Sequence, residues 1–244
     1  MILLIGRRGY PKQKDEPQHY RIGDITIAIL KVLNIQSLLM NKKNYQQQIN
    51  KATKIAIKQS KPVALIVPMN FFEKVNKINK KINSKLKIRN DFLKIIVKNK
   101  KKKDAVIASL GNVSRELFVL NENQNDDHSE TFYSIGAMGQ ANQIGLEISL
   151  NRKNNTTFIL DGDGSIQMQM GNLITIGKNS KNKVFHILFN NGVHESTGFH
   201  KLANREIDYQ MIFKACGYKK VYKIKKLNEL DNILKKREKC LIAI

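Results

Sequence analysis

The stretch TTFILDGDGSIQMQMGNLITIG, Thr156 to Gly177, decides how this chain is read. β-favouring and apolar residues lead into Asp163, a carboxylate held between Gly162 and Gly164, and a helix-like run of Met, Gln, Leu and Ile follows. Glycines at such a point let something approach the main chain, and the acid can ligate a cation. A plain turn without a ligand competes with that account while the motif is taken alone. An EF-hand loop is excluded, because its first and twelfth positions would fall on Ile159 and Met170, neither able to ligate. A dinucleotide-binding fingerprint is excluded as well, since no G-x-G-x-x-G follows a strand.

A second polar pair sits downstream, where KVFHILF runs into Asn190 and Asn191. Asp163 and Asn191 are 28 positions apart (191 − 163 = 28), each just past a strand-like segment. Adjacent strands would bring them side by side, and the plain-turn account weakens accordingly. A hard cation such as Mg²⁺ takes oxygen ligands in octahedral geometry and keeps phosphate oxygens among them, so an Asp, an Asn and a main-chain carbonyl leave room for a diphosphate and water. A helix starting at Ser165 would aim its free N–H groups at that diphosphate.

Outward from this centre the chain alternates strand and helix. ILLI, DITIAILKVLNI with Asp24 as N-cap, YQQQINKATKIAIKQS and the strand PVALIVP make up residues 1–70. Residues 71–103 turn to Lys and Asn, ending in KNKKKKD, and are expected to form a linker, partly helical around DFLKIIV. From Asp104 to Ile244 come AVIASL, SRELFVL, the glycine-rich SIGAMGQANQIGLEISL, the central stretch, KVFHILF, NNGVHESTGFH, YQMIFKACG, KKVYKI, LNELDNILKK and CLIAI. Such repetition predicts an α/β fold, a parallel sheet covered by helices on both faces, with ligands beyond the carboxyl ends of the strands.

The formal charge is +23 with a pI near 10.0. The excess is nearly all lysine in a chain rich in Asn and Ile, the bias of AT-rich codons, and no aromatics interleave with it to stack bases. Neither a nucleic acid nor a membrane is therefore expected as partner. Cys216 and Cys240 make no disulfide framework and no metal-ligand spacing, and the apolar opening is too short for a leader or a span, so a cytoplasmic location is expected.

GDG followed at this distance by NN resembles the diphosphate-binding signature of thiamin-diphosphate enzymes. LDGDGSIQMQMGNLITIG, HILFNNGVHESTG and ASLGNVSRELF are more narrowly similar to phosphonopyruvate decarboxylases, with the sulfopyruvate decarboxylases next. LLIGRRGYPKQKDEPQHYRIG and KPVALIVPMNFFE extend the likeness over nearly the whole chain. The resemblance implies a thiamin-diphosphate-binding fold: a diphosphate-binding domain at 104–244 preceded, at 1–70, by the C-terminal portion of a pyrimidine-binding domain. It implies Mg²⁺ on Asp163, Asn191 and the Val193 carbonyl, and the diphosphate against Gly162, Gly164 and Ser165. The Gly136 carbonyl would accept from the cofactor's 4′-amino group, and Met138 would support its bent conformation. The implied reaction is decarboxylation of the small anionic 2-oxo acid 3-phosphonopyruvate, with sulfopyruvate as the alternative and a non-catalytic cofactor-binding fragment as a further one.

On the substrate side His19, Gln18, His128, His194 and Arg115 are candidates, each weighed against an ordinary surface or structural role, whereas His186 in an apolar strand reads as a core histidine. The family's cofactor-activating glutamate lies before the segment matched here. Arg7 stands where Trp is usual and Gln140 where His is common. The chain alone is therefore expected to be incomplete, working as a homo-oligomer or with a partner chain that carries the missing pyrimidine-binding half.

Overall fold

The computed structural model describes residues 1–9, 14–73, 89–238 and 241–243, without the side chains of Pro17, Gln18, Leu241 and Ala243. It divides into two compact units, Met1–Lys81 and Ile82–Ile244.

The first unit holds β1 (Ile2–Gly6), α1 (Pro17–Val32), β2 (Gln36–Leu39), α2 (Tyr45–Gln59) and β3 (Val63–Val67). The three strands are parallel in the order β1-β3-β2, and every residue of the central β3 is buried. Alternate side chains leave a strand on opposite faces. Val63, Leu65 and Val67 accordingly pack with Met40, Ala52 and Ala56, while Ala64 and Ile66 pack with Leu30 on the other side. Helix α1 starts at Pro17, so Asp24 lies inside it and does not cap it. The apolar periodicity behind that expectation begins late because the first turn, PQHYR, is polar; proline's fixed φ suits a helix start.

The second unit contains α3 (Arg89–Asn99), β4 (Ala105–Ala108), α4 (Asn112–Asn123), β5 (Thr131–Tyr133), α5 (Ala141–Asn151), β6 (Thr157–Gly162), α6 (Asp163–Met168) and α7 (Asn172–Asn179). Next come β7 (Val184–Phe189), β8 (Val193–His194), a 3₁₀ turn (Glu195–Thr197), β9 (His200–Lys201), α8 (Tyr209–Ala215), β10 (Lys220–Val221), α9 (Leu227–Lys236) and β11 (Leu241–Ala243). Six strands form one parallel sheet in the order β10-β11-β7-β6-β4-β5, and β8 and β9 pair antiparallel outside it.

Both faces of this sheet are covered, as the unbroken apolar strands require. Phe158 and Leu160 of β6 join Val106, Leu117, Phe185 and Leu230 on one face, with the rings of Phe158 and Phe185 stacked at 5.4 Å. Ile159, between them in sequence, packs with Ile107, Ile166, Leu173 and Phe213 on the other.

The expected linker over 71–103 is only partly one. Residues 74–88 lie outside the described residues, but 89–99 form α3, whose Leu93 and Ile96 are fully buried in the same core as Phe158. The Lys- and Asn-rich stretch in which it is embedded hides the short apolar run Phe92 to Val97 that carries this helix. The single helix expected after the GDG turn is two, α6 and α7, broken between Gln169 and Gly171. His186 is wholly buried, bonded through Nδ1 to Tyr218 Oη at 2.7 Å and through Nε2 to Asp161 at 3.3 Å, which fits a core histidine.

Candidate active site

β6 and β7 are neighbours with Gly162 paired to Phe189, so the residues just past each strand end meet. Asp163 is 3% exposed at the start of α6. Its Oδ2 accepts the main-chain N–H groups of Asn191 (2.9 Å) and Gly192 (2.6 Å), and its Oδ1 accepts that of Gly164 (2.8 Å). One carboxylate thus clasps the loops that follow two adjacent strands. An ionised carboxyl offers about four acceptor positions, so three N–H groups leave one for a cation.

The Asn191 side chain accepts from Val193 N–H through Oδ1 at 3.0 Å and donates from Nδ2 to Glu195 Oε1 at 2.8 Å. Among the described residues no three His, Cys, Asp or Glu side chains gather at a metal-binding spacing. A cation here would therefore rest on mixed oxygen donors, the set that suits a hard ion.

Beside the clasp lies a cleft open to solvent, lined by Ser109, Gly111, Met138, Gly162, Asn191 and His194 among others. Gly162 has an extended backbone, φ −102° and ψ 154°, that any residue adopts, and a Cβ built on it would meet nothing within 4 Å. Among the described residues nothing requires a glycine there, and the main chain at Gly162 is open to the cleft, which leaves room for a group lying against it. Gly164 differs, for its Cβ would come within 2.5 Å of the His194 ring. The absence of a side chain at Gly164 thus lets the His194 ring lie close over it, in the lining of the cleft.

Ser165 is buried and its Oγ accepts Gly139 N–H at 3.0 Å, tying the loop that carries Met138 to α6. In the same loop the Gly136 carbonyl accepts from Ser134 Oγ at 2.6 Å and keeps one lone pair. Ala137, between Gly136 and Met138, has φ 50° in the left-handed region, a strain on the order of 1 kcal/mol for a residue with a Cβ.

The structure gathers Gly162, Asp163, Gly164, Ser165, Asn191, Val193, His194 and Met138 around this cleft. It sets His128 elsewhere. That residue precedes β5, at the amino ends of parallel strands whose carboxyl ends face the cleft, and its ring is held by Tyr133 Oη (2.6 Å) and Glu122 (2.7 Å) and stacked on Phe118. Arg115 is exposed on α4 and does not line the cleft. His19 belongs to the first unit, where Nδ1 bonds Asp15 at 2.9 Å; the Arg8 hydrogen bond, foremost, holds the Asp15 carboxyl well below the usual range. The Gln18 side chain lies outside the described residues.

A further cluster is absent from the expected residues. Glu195 Oε2 accepts from Arg89 Nη2 (2.7 Å) and Asn112 Nδ2 (2.9 Å), and Arg89 also binds Glu116 at 2.6 Å. Burial pushes the Glu195 carboxyl up, but hydrogen bonds from Arg89 and Asn112, together with the Arg89 charge, leave it below its ordinary value. An acid four residues past Asn191 was the available signal for Glu195. Arg89, 106 positions away from it, offered none.

The clasp and its cleft lie beyond the carboxyl ends of β6 and β7, where parallel α/β sheets bind their ligands. Residues 110–240 match the thiamine pyrophosphate enzyme C-terminal TPP binding domain, and the chain belongs to that family. It is 28% identical to a phosphonopyruvate decarboxylase of Streptomyces viridochromogenes over 96% of this chain and 62% of that one. It is 34% identical to the sulfopyruvate decarboxylase subunit beta of Methanocaldococcus jannaschii over 64% of this chain and 81% of that subunit. The chain therefore spans about three-fifths of the length of the phosphonopyruvate decarboxylases it matches. A solved protein from Mycobacterium smegmatis, described as a candidate thiamin diphosphate-dependent enzyme, shares the fold with a TM-score of 0.51 at 17% identity, over 63% of this chain and 30% of that one. Among the described residues no helix is long and apolar enough to cross a membrane.

Proposed function

We propose that this chain contributes the diphosphate-binding half of a Mg²⁺-dependent, thiamin-diphosphate-dependent carboxy-lyase acting on 3-phosphonopyruvate to give phosphonoacetaldehyde and CO₂. The observation that carries the proposal is the Asp163 clasp beside the open face of Gly162. The donor set and the space fit magnesium and a diphosphate.

Asp163, the Asn191 amide oxygen and the Val193 carbonyl would hold the cation. Gly162, Gly164 and Ser165 would lie along the diphosphate, where glycines permit close approach. Bound there, thiamin diphosphate supplies the electron sink for loss of CO₂ from a 2-oxo acid. The chain's own part is positional and electrostatic. The Gly136 carbonyl keeps an acceptor site for an amino group, and Met138 fills the cleft wall in place of water. His194, lying close over Gly164, presents a ring that can hold or pass a proton to the substrate. His128 and Arg115 take no part in this arrangement.

Sulfopyruvate is the second substrate reading, favoured by the similarity to a sulfopyruvate decarboxylase beta subunit, and it brings a hetero-oligomer with it. A partner chain would supply the activating acid. A homo-oligomer remains the alternative assembly, and a cytoplasmic location accords with both. CO₂ release from each substrate, with this chain alone and co-expressed with its neighbouring reading frame, tests the proposal. Turnover of 3-phosphonopyruvate above sulfopyruvate is expected; no turnover in any combination refutes it.

A further inference from the structure

We propose that Glu195 is a positioning residue that decides which end of the Asn191 amide faces the cation site, through a relay anchored by Arg89 on α3. The inference rests on Asn191 being a cation ligand, as proposed above. An amide's oxygen and nitrogen ends have nearly the same shape, so only hydrogen-bond partners choose between them. Glu195 makes the choice because a carboxylate only accepts. Its Oε1 takes the Asn191 NH₂ group at 2.8 Å, which turns the amide oxygen to the other side, where Val193 N–H meets it at 3.0 Å. With nitrogen outward the same side chain would offer a cation two N–H groups.

Glu195 is itself fixed. Its Oε2 accepts from Arg89 at 2.7 Å and from Asn112 at 2.9 Å, two donors that hold that end of the carboxylate and leave Oε1 for Asn191. Arg89 is fixed in turn by Glu116, through Nη2 at 2.6 Å and Nε at 3.2 Å. Three elements distant in sequence, α3, α4 and the 3₁₀ turn, thus converge on one amide.

The relay makes an unusual prediction about sign. In Glu195→Gln the glutamine's oxygen stays with Arg89 and Asn112, since both donate, and its NH₂ group faces Asn191. Asn191 then satisfies that donor only by turning over. In Asn191→Asp a carboxylate faces the Glu195 carboxylate across a hydrogen-bond distance, and the two repel. Each single change is damaging, but together they are compatible: an aspartate has no nitrogen end, accepts from the glutamine, and still accepts from Val193 N–H.

The test is Mn²⁺ binding to the full chain in the presence of thiamin diphosphate, read from the loss of the free-ion electron paramagnetic resonance signal, with melting of each cofactor-free variant alongside. Changes at partners of metal ligands cost about 10- to 100-fold in metal affinity. Each single variant is expected to lose about tenfold or more with its fold intact, and the double variant to return to within about threefold of wild type. A purely structural role would instead make the two deficits add. Wild-type affinity in Glu195→Gln, or additive loss in the double variant, overturns the inference while leaving Asn191 a ligand. Failure of the wild-type chain to bind Mn²⁺ removes the ligand assignment itself, and this inference with it.

Discussion

Replacing Gly162 by alanine separates the needs of the fold from those of the bound group. With φ −102° and ψ 154° the backbone already sits where alanine is comfortable, and the new methyl would meet nothing within 4 Å. The unfolded chain loses freedom, so the cofactor-free protein should gain about 0.5 kcal/mol. In a unit of this size that amounts to a rise in melting temperature of about 1–2 °C. The same methyl occupies the space into which the diphosphate would be received. Overpacking a tight contact costs about 1–3 kcal/mol, which is roughly 5- to 150-fold in affinity. Calorimetric melting without cofactor and titration with thiamin diphosphate and Mg²⁺ measure the two effects on one preparation. Gly164→Ala is the contrasting variant, since its methyl would strike the His194 ring and lower the cofactor-free melting temperature. Unchanged cofactor affinity in Gly162→Ala would refute the placement of the diphosphate against this strand end.

Other perturbations test the surrounding assignments. Tyr218→Phe strands the buried Nδ1 of His186 and should cost about 1–3 kcal/mol in denaturant unfolding; a loss within measurement error would mean the bond contributes nothing. His128→Ala should leave cofactor affinity unchanged and slightly lower stability, because its ring is bonded to Tyr133 and Glu122 and does not line the cleft; a large affinity loss would bring His128 into the site. The Glu130 carboxyl is held below its ordinary value, chiefly by its hydrogen bond with Arg152. At acid pH the unfolded chain therefore binds more protons there, so this pair's stabilisation is complete above about pH 4.3 and fades as pH falls through the lower folded value. Stability curves against pH should be less steep on the acid side in Arg152→Met; an unaltered slope would show the pair to be inert.

The centre of the fold was legible because its signals are local. Each apolar run of β3, β4, β6 and β7 lies within a few residues, and the GDG and NN pairs sit directly at strand ends. Elements that depend on distant partners were harder to read. β2, QSLL, and β5, TFY, are short and gain their strand character from β3 and β4 beside them. The break between α6 and α7 follows from how Gln169–Gly171 turns, while the surrounding periodicity reads straight through it. In the site, the Asp163–Asn191 pairing follows from strand adjacency. The hold of Arg89 on Glu195 spans 106 positions and has no trace in either neighbourhood. His128 shows a related limit: a histidine's chemistry can be read from its type, whereas the end of the strand it neighbours requires the topology.

The Asp163 clasp also bears on the order of events as the chain is made. Its acceptor emerges at the end of β6, but its donors, Asn191 and Gly192, follow only after the whole of β7, so the carboxylate stays uncommitted while the intervening residues are synthesised. A slip of β7 by one residue against β6 would carry both donors out of reach and turn every β7 side chain to the wrong face. Capture of cofactor by a nascent or refolding chain would therefore report that these two central strands have docked in register, and a stalled ribosome complex ending before residue 191 should be blind to it.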